Sequence, residues 1–189
     1  MSLTARRIRA EEWRQVRDLR LEALRDEAAS IAFLDTYDNA VARSDHFWQD
    51  RAENAATGDT AAQFTAVDGD AWVGSTTVLR RGVGETDHHG RVLTASRGDV
   101  VGVFVRSSHR GRGVIDALLA AAADWALALG DRTLTLDVHA DNARAQGAYR
   151  RAGFAPTGLR FTGAIGAELE MARELEMARE LAADDERHA

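Results

Sequence analysis

The stretch DVVGVFVRSSHRGRGVIDALL, residues 99–119, decides the fold of this 189-residue chain. Val100, Val101, Val103, Phe104 and Val105 form a β-branched and aromatic run, too apolar for a loop and too short for a helix. From Ile115 the spacing changes. Ile115, Leu118, Leu119, Ala122, Ala126 and Leu129 recur every three or four residues, the stripe of an amphipathic helix. Between strand and helix stands Arg110-Gly111-Arg112-Gly113-Val114. A glycine-rich turn that opens a helix presents free backbone N–H groups at the positive end of the helix dipole, where a phosphate can be held. Taken alone, the same turn serves an ordinary strand-to-helix connection equally well.

A second block lies downstream. Residues 137–142, DVHADN, end a strand, and residues 143–152 read as a short helix stopped by Gly153-Phe154. Together the two blocks resemble the GCN5-related N-acetyltransferase (GNAT) superfamily. Its acetyl-CoA loop is Q/R-x-x-G-x-G/A, matched by Arg110 to Ile115, and its second signature, N-x-x-A-x-x-x-Y followed by GF, is matched by Asn142, Ala145, Tyr149 and Gly153-Phe154. Ile115 departs from the pattern, since that position is usually Gly or Ala. A branched side chain there either crowds the pyrophosphate or turns back into the core at the head of the apolar stripe.

The resemblance covers most of the chain. It implies an α/β (α+β) fold: a mixed, mostly antiparallel sheet of six or seven strands with helices on both faces. The fourth and fifth strands would diverge into a cleft for the pantetheine arm. Acetyl-CoA would be the donor cosubstrate, held by Val103, Phe104, Val105, Arg110, Gly111, Arg112, Gly113, Val114, Ile115, Asp116, Asn142 and Tyr149. The reaction implied is direct acetyl transfer to a primary amine of a small molecule or peptide. A non-catalytic acyl-CoA-binding or sensing module of the same fold is the alternative that Ile115 favours.

Acetyl transfer to an amine needs a base, because an alkyl amine of pKa ~10.4 is only about one part in a thousand neutral at pH 7. It needs a donor for the carbonyl oxygen, for which the backbone N–H of Val105 beside splayed strands is the candidate. It also needs an acid for the leaving thiolate. Tyr149 matches the family tyrosine beside the CoA sulfur, although Ala145, Ala148, Tyr149 and Ala152 also form a stripe that would simply pack. Asp99 is the base candidate, six residues before Val105, where histone-type relatives carry a glutamate. It reads equally well as a strand-initiating residue after Gly98. Asp137 and His139 stand in reserve at the cleft end of the fifth strand.

Composition bounds the rest. One domain is expected over residues 1–173, followed by an acidic tail over 174–189. The chain has no cysteine, hence no disulfide, thiolate metal site or cysteine nucleophile. No apolar run reaches the ~20 residues of a membrane span, and the N-terminus lacks a signal peptide's apolar core, so a soluble cytoplasmic protein is expected. All 24 basic residues are arginine. The net charge of −6 sits mostly beyond residue 167, which leaves a nearly neutral body with no basic, aromatic-studded face for nucleic acid. Asp87, His88 and His89 lie in a long polar connection (residues 81–98); two adjacent loop histidines are usually just solvated, and no metal is expected.

In chain order, a strand over residues 5–10 and a helix over 11–29 are expected first. A polar joint and a helix over 44–56, capped by Ser44, come next. Strands over 63–67 and 71–80 form a hairpin. After the core block come strands over 133–139 and 155–161, then the hexapeptide ELEMAR at 168–173, repeated letter for letter at 174–179. Six is even, so Leu169, Met171, Leu175 and Met177 would share one face, with glutamates on the other. The first copy is expected in the sheet. The second reads as a frayed helix or an edge for another subunit, and a homodimer is among the assemblies it allows.

Overall fold

The computed structural model describes residues 3–176. Seven strands form one sheet: β1 (Leu3–Arg7), β2 (Ala61–Asp68), β3 (Ala71–Arg81), β4 (Arg97–Val105), β5 (Thr133–His139), β6 (Ala155–Gly163) and β7 (Gly166–Glu174). Their order is β1-β2-β3-β4-β5-β7-β6. Only β4 and β5 run parallel, and they pair at just Gly98↔Leu134 and Asp99↔Thr135. Beyond that point the strands part.

Among the described residues, five α-helices accompany the sheet: α1 (Trp13–Ala23), α2 (Tyr37–Val41), α3 (Asp45–Thr57), α4 (Val114–Ala128) and α5 (Ala143–Arg151). Alternation on β2 divides them between two faces. Ala62, Phe64 and Ala66 join Leu118, Leu119 and Ala122 of α4 in one core, which also holds Tyr149 and Phe154. Gln63, between them, meets Val16, Arg20, Ala23 and Arg51 of α1 and α3 on the other face. There Trp13, Val16, Leu19, Trp48 and Ala52 form a second core.

Two segments depart from their expected bounds. The first strand is Leu3–Arg7, not residues 5–10, because Ile8 already turns inward into the second core. The first helix ends at Ala23 rather than at residue 29. Residues 24–29 are good helix formers, but Asp26 leaves the helical path: it accepts the Ala28 N–H at 3.1 Å and pairs with Arg110 across the fold. Tertiary contact overrides propensity there. Ser44 caps α3 as expected, accepting the Phe47 N–H at 3.3 Å.

The first ELEMAR copy forms β7, inserted between β5 and β6. Met171 is fully buried and Leu169 nearly so. The opposite face is not a solvated row of glutamates, for Glu170 is only 3% exposed and ion-paired to Arg91. Met177 and the rest of the second copy beyond Glu176 lie outside the described residues.

Candidate active site

The divergence of β4 from β5 opens a cleft of about 820 Å³. Gly98 sits at its apex, where a Cβ would come within 2.7 Å of both Leu134 and Val78 side chains, so only glycine lets the two strands meet before parting. A bulge then bends β4 further. Ser75 pairs with Phe104 and Thr77 with Val101, leaving Thr76 opposite both Gly102 and Val103, with Gly102 at φ +63°. The N–H of Arg106 is bonded to Val73 on β3 at 2.9 Å. Alternation therefore turns the N–H groups of Val105 and Val103 toward the gap that β5 has left.

At the outer end of β4 the chain makes its glycine turn. Gly111 and Gly113 have φ of +73° and +78°, and nothing lies within 4 Å of a Cβ at either. Gly113 heads α4, whose first N–H groups face the cleft unpaired by the helix. Val114 is core; Ile115 is half-buried, packed against that core while also bordering the cleft. Asp116 is exposed at the rim, and Arg112 stands outside the lining. Arg110 is used internally: its Nε donates to Val105 O at 3.1 Å and its guanidinium pairs with Asp26. Burial pushes the Asp26 carboxyl up, but the Ala28 amide and Arg110 outweigh this and hold it below its ordinary value. Arg144 at the start of α5 lines the cleft 3.8 Å from the same Asp26. Sequence reasoning missed it, since it occupies an unassigned position of the second motif.

The second motif forms the facing wall. Asn142 caps α5 by accepting the Ala145 N–H at 3.1 Å. About two turns of helix further on, Tyr149 is 8% exposed and lines the cleft, its ring beside Phe154 with centroids 6.2 Å apart. Burial pushes its phenol pKa well up, so it keeps its proton throughout the physiological range.

On the face carrying α1 and α3, charged groups gather. Asp99 lies among them at 4% exposure with both carboxylate oxygens engaged: Arg81 Nε donates at 2.6 Å, Arg97 Nε at 3.0 Å and Thr135 Oγ1 at 2.7 Å. The connection over residues 82–96 folds back as a hairpin with a Thr86↔Val92 bridge. Its tip is fixed by Asp87, which accepts the His89 N–H at 2.9 Å and the Arg91 N–H at 2.8 Å and pairs with Arg97 at 3.1 Å. Burial pushes the Asp87 carboxyl up, yet the amide and guanidinium of Arg91, the latter donating from Nε at 2.8 Å, and the His89 amide outweigh it and bring it down to about 2. Both histidines are thereby aimed at Asp137 on β5: His88 Nε2 in direct hydrogen-bond contact, His89 Nε2 at 3.3 Å. The three side chains could also gather around a metal ion, with ligand atoms within 4.8 Å of one another. Glu168 stands near, its carboxyl pushed up by burial and by the charge of Asp137. His139 is more enclosed, its Nδ1 accepting the Asp141 N–H at 3.1 Å and its Nε2 packed over Gly166.

The sheet is thus split between its fourth and fifth strands, with a glycine-headed helix at one lip of the cleft and a buried tyrosine at the other. Residues 13–154 match the model of the acetyltransferase (GNAT) family. The chain belongs to that family. No curated protein sequence matches it. Among solved structures, a GNAT-family acetyltransferase from Streptococcus pneumoniae is similar at TM-score 0.71 and 18% identity, covering 93% of this chain and all of its own. The PaiA N-acetyltransferase of Thermoplasma acidophilum, in complex with coenzyme A, is similar at TM-score 0.69 and 12% identity, over 92% of this chain and 99% of its own. NAA60 of Arabidopsis thaliana, in complex with a bisubstrate analogue, follows at TM-score 0.67 and 15% identity, over 93% and 100%. The seven-stranded, mostly antiparallel sheet is thus the GNAT fold. Among the described residues no helix is long and apolar enough to cross a membrane.

Proposed function

We propose that this chain transfers the acetyl group of acetyl-CoA to a primary amine in a ternary complex. The observation that carries this reading is the coincidence, in one cleft, of the unpaired Val103 and Val105 amides, the Gly111–Gly113 cradle and the buried phenol of Tyr149. The coenzyme A bound to the similar PaiA structure supports it. Acetyl-CoA supplies an activated acetyl group as a thioester. The amides at the head of α4 bind its pyrophosphate, and the side chain of Ile115, packed on the core, leaves its own N–H free to take part. The Val105 N–H meets the negative charge that grows on the carbonyl oxygen. Tyr149, kept protonated by its burial, holds the proton that the departing thiolate takes up.

The base is assigned to His88, with Asp137 fixing its tautomer through the hydrogen bond at Nε2. With Nε2 engaged by Asp137, the other ring nitrogen, Nδ1, is the one that would accept the proton. Asp99, the other candidate, has its oxygens occupied by Arg81, Arg97 and Thr135, an arrangement that suits holding the hairpin and strands together. Asn142 acts through its cap, orienting α5 and hence Tyr149.

The test is a calorimetric titration with acetyl-CoA, followed by a panel of primary amines assayed for released thiol. Micromolar binding with amine-dependent thiol release is expected. Binding without turnover on any amine would instead favour a non-catalytic acyl-CoA module.

A further inference from the structure

The α1–α3 wall of the cleft carries charge that the proposed chemistry does not use. Arg20 of α1 and Arg51 of α3 both line the main cleft. Arg20 is half-buried, its guanidinium 4.4 Å from the ring centroid of Phe33. Arg51 is open to solvent through the cleft. Among the described residues neither guanidinium hydrogen-bonds or ion-pairs with a carboxylate. Asp35, the acid whose charge reaches both, is already paired with Arg43 at 3.0 Å. Around Asp35, three arginines therefore share one carboxylate. Partial removal from water and the charges of Arg51 and Arg43 push Arg20 down to about 10, and partial burial of its guanidinium with the charge of Arg43 pushes Arg51 down as well.

Behind them lies a void of about 20 Å³ bordered by Arg20, Arg51, Gln63, Ser75, Thr77 and the bulge glycine Gly102. The buried Oε1 of Gln63 has no hydrogen-bond partner there. The space suits a single water. One water cannot satisfy two guanidinium groups, each with five N–H donors. Unpaired charge in a concave site costs stability and is compensated when an oxyanion arrives. Facing this cationic wall, Asp137 and Glu168 give the other side of the cleft an acidic character.

We propose that Arg20 and Arg51 form an oxyanion subsite of the acceptor pocket, so that the acceptor is an amine that also carries a carboxylate or phosphate group. The assignment rests on the acetyltransferase reading for the acceptor's amine, but the anion site itself does not. The guanidinium forks take the anionic group, and the ammonium end lies toward Asp137 and Glu168.

Matched pairs of acceptors test it: free amino acids and ω-amino acids of increasing spacer length against their amides, and O-phosphoethanolamine against ethanolamine. With acetyl-CoA saturating, kcat/KM is expected to favour the anionic member at least tenfold, the preferred pair telling carboxylate from phosphate. In Arg20→Gln and Arg51→Gln that ratio should fall toward one through KM, with acetyl-CoA affinity unchanged. Equal use of both members, or a ratio that survives both substitutions, overturns the proposal. A change in acetyl-CoA affinity alone would move the arginines to the donor site and also overturn it. Titration of the same anionic compounds into protein saturated with CoA gives an arm independent of turnover. Arginine-dependent binding without acetylation of any amine would keep the subsite and discard the amine-transfer reading, whereas no binding and no turnover discards both. Should a glutamine variant fail to fold, Arg20→Lys and Arg51→Lys keep the charge but lose the fork. Each is expected to cut the preference severalfold, and an unchanged ratio counts against the proposal.

Discussion

On the donor side of the cleft, strand β4, the turn through Gly113 and helix α4 follow one another within residues 97–128, and most of what they offer a ligand is backbone. The acceptor side draws Arg20 from α1, Arg51 from α3, His88 and His89 from the connection after β3, Asp137 from β5 and Glu168 from β7. A backbone site needs glycines and a strand-to-helix change of period at fixed spacing, which leaves a local pattern. A side-chain site assembled from five remote segments needs only one or two polar groups from each, and a single arginine in a helix looks like any other solvated arginine. The donor half of a transferase of this kind can thus stay constant while the acceptor half is rewritten by point changes.

Four tests press on that contrast, beginning with the largest effect. Gly113→Asp sets a carboxylate at the pyrophosphate cradle and forces a non-glycine residue to φ +78°. Acetyl-CoA affinity should fall more than ~100-fold, over ~2.7 kcal/mol, in isothermal titration, while the amide signals of the α1–α3 wall stay in place. Retained affinity would remove the backbone from the donor site. Tyr149→Phe should lower kcat by ~10- to 100-fold with acetyl-CoA affinity unchanged, measured by thiol release; an unaltered kcat would reduce the tyrosine to packing.

The acceptor side is expected to respond through pH. His88→Ala should lower kcat about tenfold at neutral pH and abolish the acid limb of the pH–rate profile, whereas Asp99→Asn should keep that limb and lower the melting temperature. If the limb disappears with Asp99→Asn instead, the base is Asp99.

The smallest effect concerns the hairpin that carries His88. The Asp87 carboxyl is held down to about 2, against ~3.9 for an unperturbed aspartate. A lowered folded value means that its stabilising contribution is complete above about pH 4 and fades as pH falls toward 2. The protection factors of residues 86–92, taken against the intrinsic exchange rate at each pH, should therefore fall in that window in the wild type, ahead of those of α4. Asp87→Asn should show fast exchange already at pH 7. Equal protection at pH 7 in both proteins would show that Asp87 does not fix the tip.

The same contrast explains what could be read before any coordinates. Val100 to Val105 lie in a strand, the stripe from Ile115 in a helix, and Asn142 caps the helix that carries Tyr149, because each of these depends on a pattern that is local in sequence. Asp99 is different. Its setting depends on Arg81, eighteen residues earlier, and Thr135, thirty-six later, and no local period couples them. His88 and His89 looked like a solvated pair. What aims both at Asp137 is Asp87, whose carboxylate caps the hairpin backbone and reaches Arg97. The end of α1 was hidden for a similar reason, since Arg110 draws Asp26 off an otherwise helical course.

The place of β7 in the sheet has a consequence for how the chain is made. Strand β5, one arm of the cleft, touches β4 at only two residue pairs, and its remaining support comes from β7 along its whole length. On a ribosome, residues 133–139 emerge well before 166–174. In that interval β5 is an unprotected edge, open to any extended partner. When β7 arrives it must enter between two strands already synthesised, and the duplicated hexapeptide offers a second copy of the same six residues six places on, with the same faces in the same order. The cleft is thus among the last parts of the fold to close, and a nascent chain halted before Gly166 exposes a half-built sheet to its neighbours.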